Sequence, residues 1–146
     1  REMIAADAFL EWANVFDNYY GTPRERVESK IRGGTDVIFD VDWQGADALH
    51  DQMPNDVVSV FVLPPSIAAL RHRLENRPGS TPVNVARRMD DAHSEIMHWR
   101  RYDYVIVNEN IETAFDELKE ILKVERRRRL RQTHLDGLVR RLLGEG

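Results

Sequence analysis

Cysteine is absent from the 146 residues. That excludes disulfides, thiolate zinc sites and cysteine nucleophiles, and it fits a cytoplasmic protein. No apolar run approaches the ~20 residues of a membrane span, so no membrane partner is expected. The opening stretch REMIAADAFLEW has neither a starting Met nor the apolar core of a signal peptide. It reads as the end of a helix, so the chain is expected to be cut at its N-terminus. Neither charge sign dominates: 21 Lys and Arg against 25 Asp and Glu leave a net charge of −4. No global field recruits nucleic acid. The five histidines form no H-E-x-x-H or similar metal spacing. His93 and His98 fall off one helix face, and all five read as surface or packing residues.

What remains is a chain long enough for one domain with a core. Aromatic-rich FLEWANVFDNYYGT, with Asp17-Asn18 as turn residues, reads as two short strands. Pro23 fits the first turn of a helix with Thr22 as its cap, running to about Ile31 and ended by Gly33-Gly34. DVIFDVD reads as a strand and WQGADALHDQM as a helix stopped by Pro54. VVSVFVL is a continuous apolar run, the pattern of a strand buried on both faces. Pro64-Pro65 ends it, and Ser66 can cap IAALRHRLENR. The loop PGSTP leads to a long helix reaching about His98, capped by Thr81 or Ser80. YDYVIVN is a further strand, and IETAFDELKEILKVERRRRLRQ a long helix. The tail HLDGLVRRLLGEG is polar and basic. In it, LDGLVRRLL can form a short amphipathic helix that packs on the core or on another subunit, so a homo-oligomer stays open. Strands that alternate with helices argue for an α/β fold with a parallel sheet. Ligands in such sheets sit at the carboxyl ends of the strands, where Asp40, Asp42 and Asn108 fall.

Asp40 and Asp42 are two apart on the predicted strand and so share a face. Each can simply cap the following helix, and Asp42 is well placed for it. Two carboxylates on one face at a strand end also point to a ligand or a metal-linked role. Glu11 in FLEWA shares a face with Phe9 and Ala13, as a site residue or as an exposed alternation partner. NYYGT sets hydroxyls beside Gly21, which suits a phosphate oxygen or a tight turn. Arg73 and Arg77 are four apart, on one face of a helix, and Arg87 and Arg88 follow across the PGSTP loop. Arginines brought together from two helices can clamp phosphates bidentately. They can equally form a solvated face, paired with Glu75, Asp90 and Asp91. The run Glu125–Arg131 reads as a solvated helix end. Nucleic-acid binding there would rest on charge alone, with no aromatics to stack bases.

Taken in order, AFLEWANVFDNYYGT, VIFDVDWQGA, LPPS…L…RL…R, ARRM…A…E and YDYVIVNEN resemble the guanylate kinase family over about residues 1–130. The resemblance implies a P-loop NTPase-type parallel sheet with flanking helices, a small GMP-binding β subdomain and a helical lid. It implies residues 1–34 in the GMP subdomain, 35–72 and 91–132 in the core, 73–90 in the lid and 133–146 as a tail. It implies transfer of the γ-phosphoryl of ATP to GMP with Mg²⁺, in purine nucleotide metabolism. Glu11 and Asp40 would then read the guanine edge, because carboxylates accept from guanine N1 and N2 and leave adenine unpaired. Asp42 would lie near the Mg²⁺–phosphate region. Tyr20 and Thr22 would hold the GMP phosphate, and Arg73, Arg77 and Arg88 would close over the ATP phosphates. Asn108, with Glu109 beside it, would meet the adenine.

Two features depart from the family pattern. G-x-x-x-x-G-K-[ST] occurs nowhere in the chain; the family carries that phosphate loop upstream, so the chain alone is expected to be an incomplete kinase. The lid segment RPGSTPVNVARRM lacks the family's acids and is stiffened by Pro78 and Pro82, while its arginines keep their register. The alternative within the same fold is a non-catalytic peptide-binding module. The absent loop fits that alternative; the retained arginines and Asn108 do not.

Overall fold

The computed structural model describes residues 9–15 and 18–145. The expected helix end at residues 1–8 and Asp17 of the expected turn lie outside the described residues. The chain forms two compact units, Arg1–Val57 and Val58–Gly146.

In the first unit β1 (Phe9–Val15) and β2 (Asn18–Pro23) pair antiparallel, as the aromatic alternation predicts. An irregularity between Phe9 and Glu11 leaves Leu10 outside the ladder. A bulge of this kind re-aims one side chain, and Leu10 is fully buried, packed with Val27 and Leu49. Helix α1 (Arg24–Arg32) starts at Pro23 with no side-chain cap. The expected Thr22 cap does not form, because Thr22 is held in the ladder opposite Glu11. The helix ends as expected: Gly34 takes φ +77°, its N–H donates to the Ile31 carbonyl, and the Thr35 N–H donates to that of Lys30. Only glycine adopts that conformation cheaply.

Residues 35–42 are extended but form no strand. This corrects the DVIFDVD expectation. The alternation is present: Val37, Phe39 and Val41 pack on the core cluster, while Asp36, Ile38, Asp40 and Asp42 are exposed. A strand also needs a ladder, and no described strand pairs with this segment. Ile38 consequently stands 87% exposed between acids.

Asp42 caps α2 (Trp43–Gln52), accepting from the Gly45 N–H at 2.8 Å. Gly45 is required there, since a Cβ would fall 2.8 Å from the Val41 Cβ. At the far end of α2, Gln52 donates to the Leu10 carbonyl at 2.8 Å and accepts from Arg24. One side chain thus ties α2 to both β1 and α1.

In the second unit β3 (Val60–Leu63) and β4 (Tyr104–Val107) pair parallel and in register, Val60 with Tyr104 through Leu63 with Val107. Burial on both faces is not found. Phe61 and Ile106 are buried, Phe61 edge-on to Tyr102, but Val62 is 52% exposed and Val105 and Val107 are exposed beside it. The register sets Phe61 with Val105 on one face and Val62 with Ile106 on the other, so within this unit each face is covered only in part. At the start of the pair, Ser59 and Asp103 form a latch: Asp103 Oδ2 accepts from the Ser59 N–H and Oγ, and the Asp103 N–H donates to Ser59 Oγ.

Helix α3 (Ile67–Glu75) is capped by Ser66, which accepts from the Ala69 N–H. Helix α4 (Pro82–Ile96) has Pro82 in its first turn and a reciprocal Thr81–Asn84 capping box. It stops two residues short of the expected His98, and a 3₁₀ turn follows at Trp99–Arg101. Helix α5 (Ile111–Glu125) starts on Asn110, which accepts from the Glu112 and Thr113 N–H groups.

The expected run of α5 to Gln132 is not observed. The helix ends at Glu125, the chain turns extended at Arg128, and a 3₁₀ turn forms at Arg129–Arg131. Glu125 is only 5% exposed, and it draws the chain back. It accepts from Tyr104 Oη at 2.6 Å and pairs with Arg128 Nη1 at 3.2 Å and Arg131 Nε at 3.3 Å. The amphipathic helix expected in the tail forms as α6 (Leu135–Leu142), with none of its residues buried.

Burial pushes the Glu125 carboxyl up, but hydrogen bonds from Tyr104 and Arg128 and the charges of Arg128 and Arg131 outweigh it. Its pKa lies below the ordinary 4.5. A carboxylate depressed in the fold contributes stability that is fully present above the unfolded value and lost as pH falls through the folded one. We expect Glu125→Gln to lower stability by about 1–3 kcal/mol at pH 7. We also expect it to flatten the loss of stability below pH 4.5. Denaturant unfolding across the acid range reads both; an unchanged acid limb would refute the role of this carboxylate.

Candidate functional site

The expected site residues divide between the two units. In the first, the ladder sets Glu11 opposite Thr22 and Ala13 opposite Tyr20. Opposed positions share a sheet face, as do positions two apart. Glu11, Tyr20 and Thr22 therefore occupy one face of the hairpin, a relation that needs the register and cannot be read from the three positions alone. Asp40 lies on the exposed face of residues 35–42. Asp42 lies on that face too, with Oδ1 committed to the helix cap. The capping reading of Asp42 is thus observed, while the described residues give Asp40 no such structural duty.

In the second unit the structure joins residues far apart in sequence. Arg73, in the last turn of α3, donates from Nη2 to the Asn108 carbonyl at 2.8 Å and to the Glu109 carbonyl at 3.2 Å. The Asn108 N–H donates to the Leu63 carbonyl at 2.8 Å, extending the β3–β4 ladder by one bond. Asn108 Oδ1 is the one buried side-chain polar atom without a hydrogen-bond partner among the described residues. A buried acceptor left unpaired is costly in a finished protein interior. Its position, at the carboxyl end of a parallel strand, is where such sheets hold ligands.

Arg77 is not on one helix face with Arg73, as was expected. Asn76 ends α3, its side chain donating to the His72 carbonyl, and Ser80 Oγ reaches back to the Leu74 carbonyl. Pro78 disfavours helix in the residue before it, so Arg77 sits on the loop. Arg88 is half-buried on α4 and Arg87 is exposed. Among the described residues no ion pair forms between these arginines and Glu75, Asp90 or Asp91. With no such ion pair formed, these arginines keep their charge available to an anionic ligand. His93 and His98 bond the Met89 and Ser94 carbonyls through Nδ1, consistent with packing roles. No cluster of three metal-ligating side chains occurs among the described residues.

Sequence reasoning missed the tie from Arg73 to the turn after β4, and the Gln52 tie between α2 and β1. Both join residues more than thirty apart, and nothing local signals them.

Residues 1–125 match the guanylate kinase family model. The chain belongs to the guanylate kinase family. It is 66% identical over 145 residues to a guanylate kinase of Hyphomonas neptunium, covering 99% of this chain and 67% of that protein. It is 50% identical over 139 residues to one of Rhodopseudomonas palustris, covering 95% and 63%. The crystal structure of guanylate kinase from Anaplasma phagocytophilum superposes with a TM-score of 0.76 at 36% identity, covering 95% of this chain and 67% of that one. The fold is therefore the guanylate kinase fold, of P-loop NTPase type, mixed helix and sheet with a parallel strand pair. The chain spans about two thirds of the length of these relatives. No helix among the described residues is long and apolar enough to cross a membrane.

Proposed function

We propose that the protein transfers the γ-phosphoryl group of ATP to GMP, giving ADP and GDP, as a cytoplasmic enzyme of purine nucleotide metabolism. The observation that carries this reading is the family match over residues 1–125, a span that holds every expected site residue. On this reading residues 1–34 belong to a GMP-binding subdomain, 35–72 and 91–132 to the core, 73–90 to a lid and 133–146 to a tail. Glu11 and Asp40 accept from guanine N1–H and the N2 amine. Tyr20 and Thr22 donate to the GMP phosphate. Asn108 Oδ1 accepts from the adenine C6 amine, with Glu109 beside it. Arg73, Arg77 and Arg88 surround the ATP phosphates. Phosphoryl transfer asks a protein mainly for positioning and charge stabilisation, which these arginines supply.

Mg²⁺ would neutralise charge on the phosphates. It keeps several waters and binds through substrate phosphates plus one or two carboxylates. Asp42 is the carboxylate we assign near it.

The test is ATP- and Mg²⁺-dependent ADP release by the intact enzyme, with GMP or AMP as acceptor. We expect GMP to be preferred by roughly a hundredfold or more, since AMP leaves carboxylates unpaired. Glu11→Ala should raise KM for GMP while KM for ATP holds. Equal rates with AMP and GMP, or an unmoved KM, would refute the assignment.

A further inference from the structure

We propose that Arg73 is a positioning residue for the base of the phosphoryl donor, acting through the backbone of Asn108 and Glu109 to set the ATP-over-GTP preference. The proposal rests on the reading of Asn108 as the partner of the adenine amine.

The turn after β4 is fixed at almost every polar group. The Asn108 N–H is bonded to Leu63, the Glu109 N–H to the Val107 carbonyl, and the Asn110 side chain to the start of α5. The Asn108 and Glu109 carbonyls are held by Arg73. Asn108 Oδ1 is the one buried side-chain atom left unpaired among the described residues. An acceptor presented at that point discriminates by chemistry. Adenine offers an amine at C6 and forms a bond; guanine offers a carbonyl there and meets a second acceptor. The discrimination is only as sharp as the acceptor is well placed, and a displacement of 1 Å at such a site is costly.

Arg73 is suited to this because its guanidinium is planar and rigid. One nitrogen, Nη2, serves both carbonyls. Nη1 and Nε remain for other acceptors, so the role is compatible with a phosphate contact by the same side chain. A lysine would keep the charge but not the fixed plane.

The experiment measures equilibrium binding of non-hydrolysable ATP and GTP analogues to the intact enzyme with GMP saturating, together with kcat and KM for both donors. The proteins are the parent, Arg73→Ala, Arg73→Lys, Asn108→Ala and the Ala double variant. Asn108→Ala should reduce the ATP-over-GTP preference by about tenfold, the usual order for one hydrogen bond. Arg73→Ala should reduce it similarly, Arg73→Lys partly, and the double variant no further than Asn108→Ala alone. Should Arg73→Ala weaken both donors equally, with their ratio kept, Arg73 serves the phosphates only and the proposal is overturned. Should Asn108→Ala leave the ratio unchanged, the adenine assignment of Asn108 fails, and the proposal with it. Arg73 is exposed on the helix surface, so its replacement does not threaten folding.

Discussion

Replacing Arg88 with alanine in the intact enzyme should lower kcat by roughly 10²- to 10³-fold, the order seen when one preorganised charge partner of a transition state is lost. KM for GMP should change by less than about threefold, because the lost interaction strengthens only as charge moves between donor and acceptor. Three observations single out Arg88. It is half-buried, where its neighbour Arg87 is exposed. It stands on α4, whose start is fixed by the Thr81–Asn84 capping box and by Pro82, so its backbone position is set by a rigid element. No acid among the described residues neutralises it. Arg88→Lys should recover a small part of the loss, since an ammonium supplies charge without the fork. Single-turnover kinetics separates chemistry from product release. An unchanged phosphoryl-transfer rate in Arg88→Ala would remove it from the reaction.

The second large effect is expected at Leu10. Leu10→Ala should cost about 2–5 kcal/mol, the range for truncating a fully enclosed leucine. Leu10 is the one fully buried large side chain among the described residues, set by the bulge against Val27 of α1 and Leu49 of α2. Its carbonyl also receives the Gln52 side chain. The same residue therefore fixes β1 by both packing and hydrogen bonding, and Glu11 is its immediate neighbour. Loss of Leu10 should raise KM for GMP as well as lower the unfolding free energy. Denaturant titration measures the second, and a cost below about 1 kcal/mol would mean that the site collapses around the smaller residue. Leu10→Met, which conserves volume, should cost less than about 1.5 kcal/mol.

Local signals proved the most legible in the sequence. Asp42, Ser66 and Thr81 each cap the helix that follows, as their positions before apolar periodicity imply. Caps are short-range chemistry, written within four residues. The strand pair was legible too, because the aromatic alternation lies within one stretch, although Asn18, expected in the turn, is the first residue of β2, opposite Val15. Pairing over distance was not. DVIFDVD has the composition and alternation of a strand, yet residues 35–42 lack a ladder among the described residues. VVSVFVL reads as buried on both faces, yet Val62 is half-exposed. Composition reports what a segment can do, and the partner that completes it is elsewhere in the chain. Arg77 failed for a different reason: the i,i+4 rule assumes a continuing helix, and Asn76 and Pro78 end it between the two arginines. Glu125 was hidden because its run of arginines reads as a solvated end, and nothing local says that Tyr104 stands over it. The family was legible as an ordered set of segments, and the grouping of Glu11, Tyr20 and Thr22 on one face came only with the register.

The Ser59–Asp103 latch has a consequence for how the sheet closes. It joins residues 44 apart. Closing a flexible loop of that length costs about 3 kcal/mol of chain entropy beyond a constant term. Three hydrogen bonds at about 1 kcal/mol each are of the same size. The latch therefore offsets about the length-dependent part of the entropy of bringing β4 to β3, and the constant part falls to the four-residue ladder. Without it, the turn that carries Asn108 would be held at the end of a strand pair whose closure the ladder must support alone.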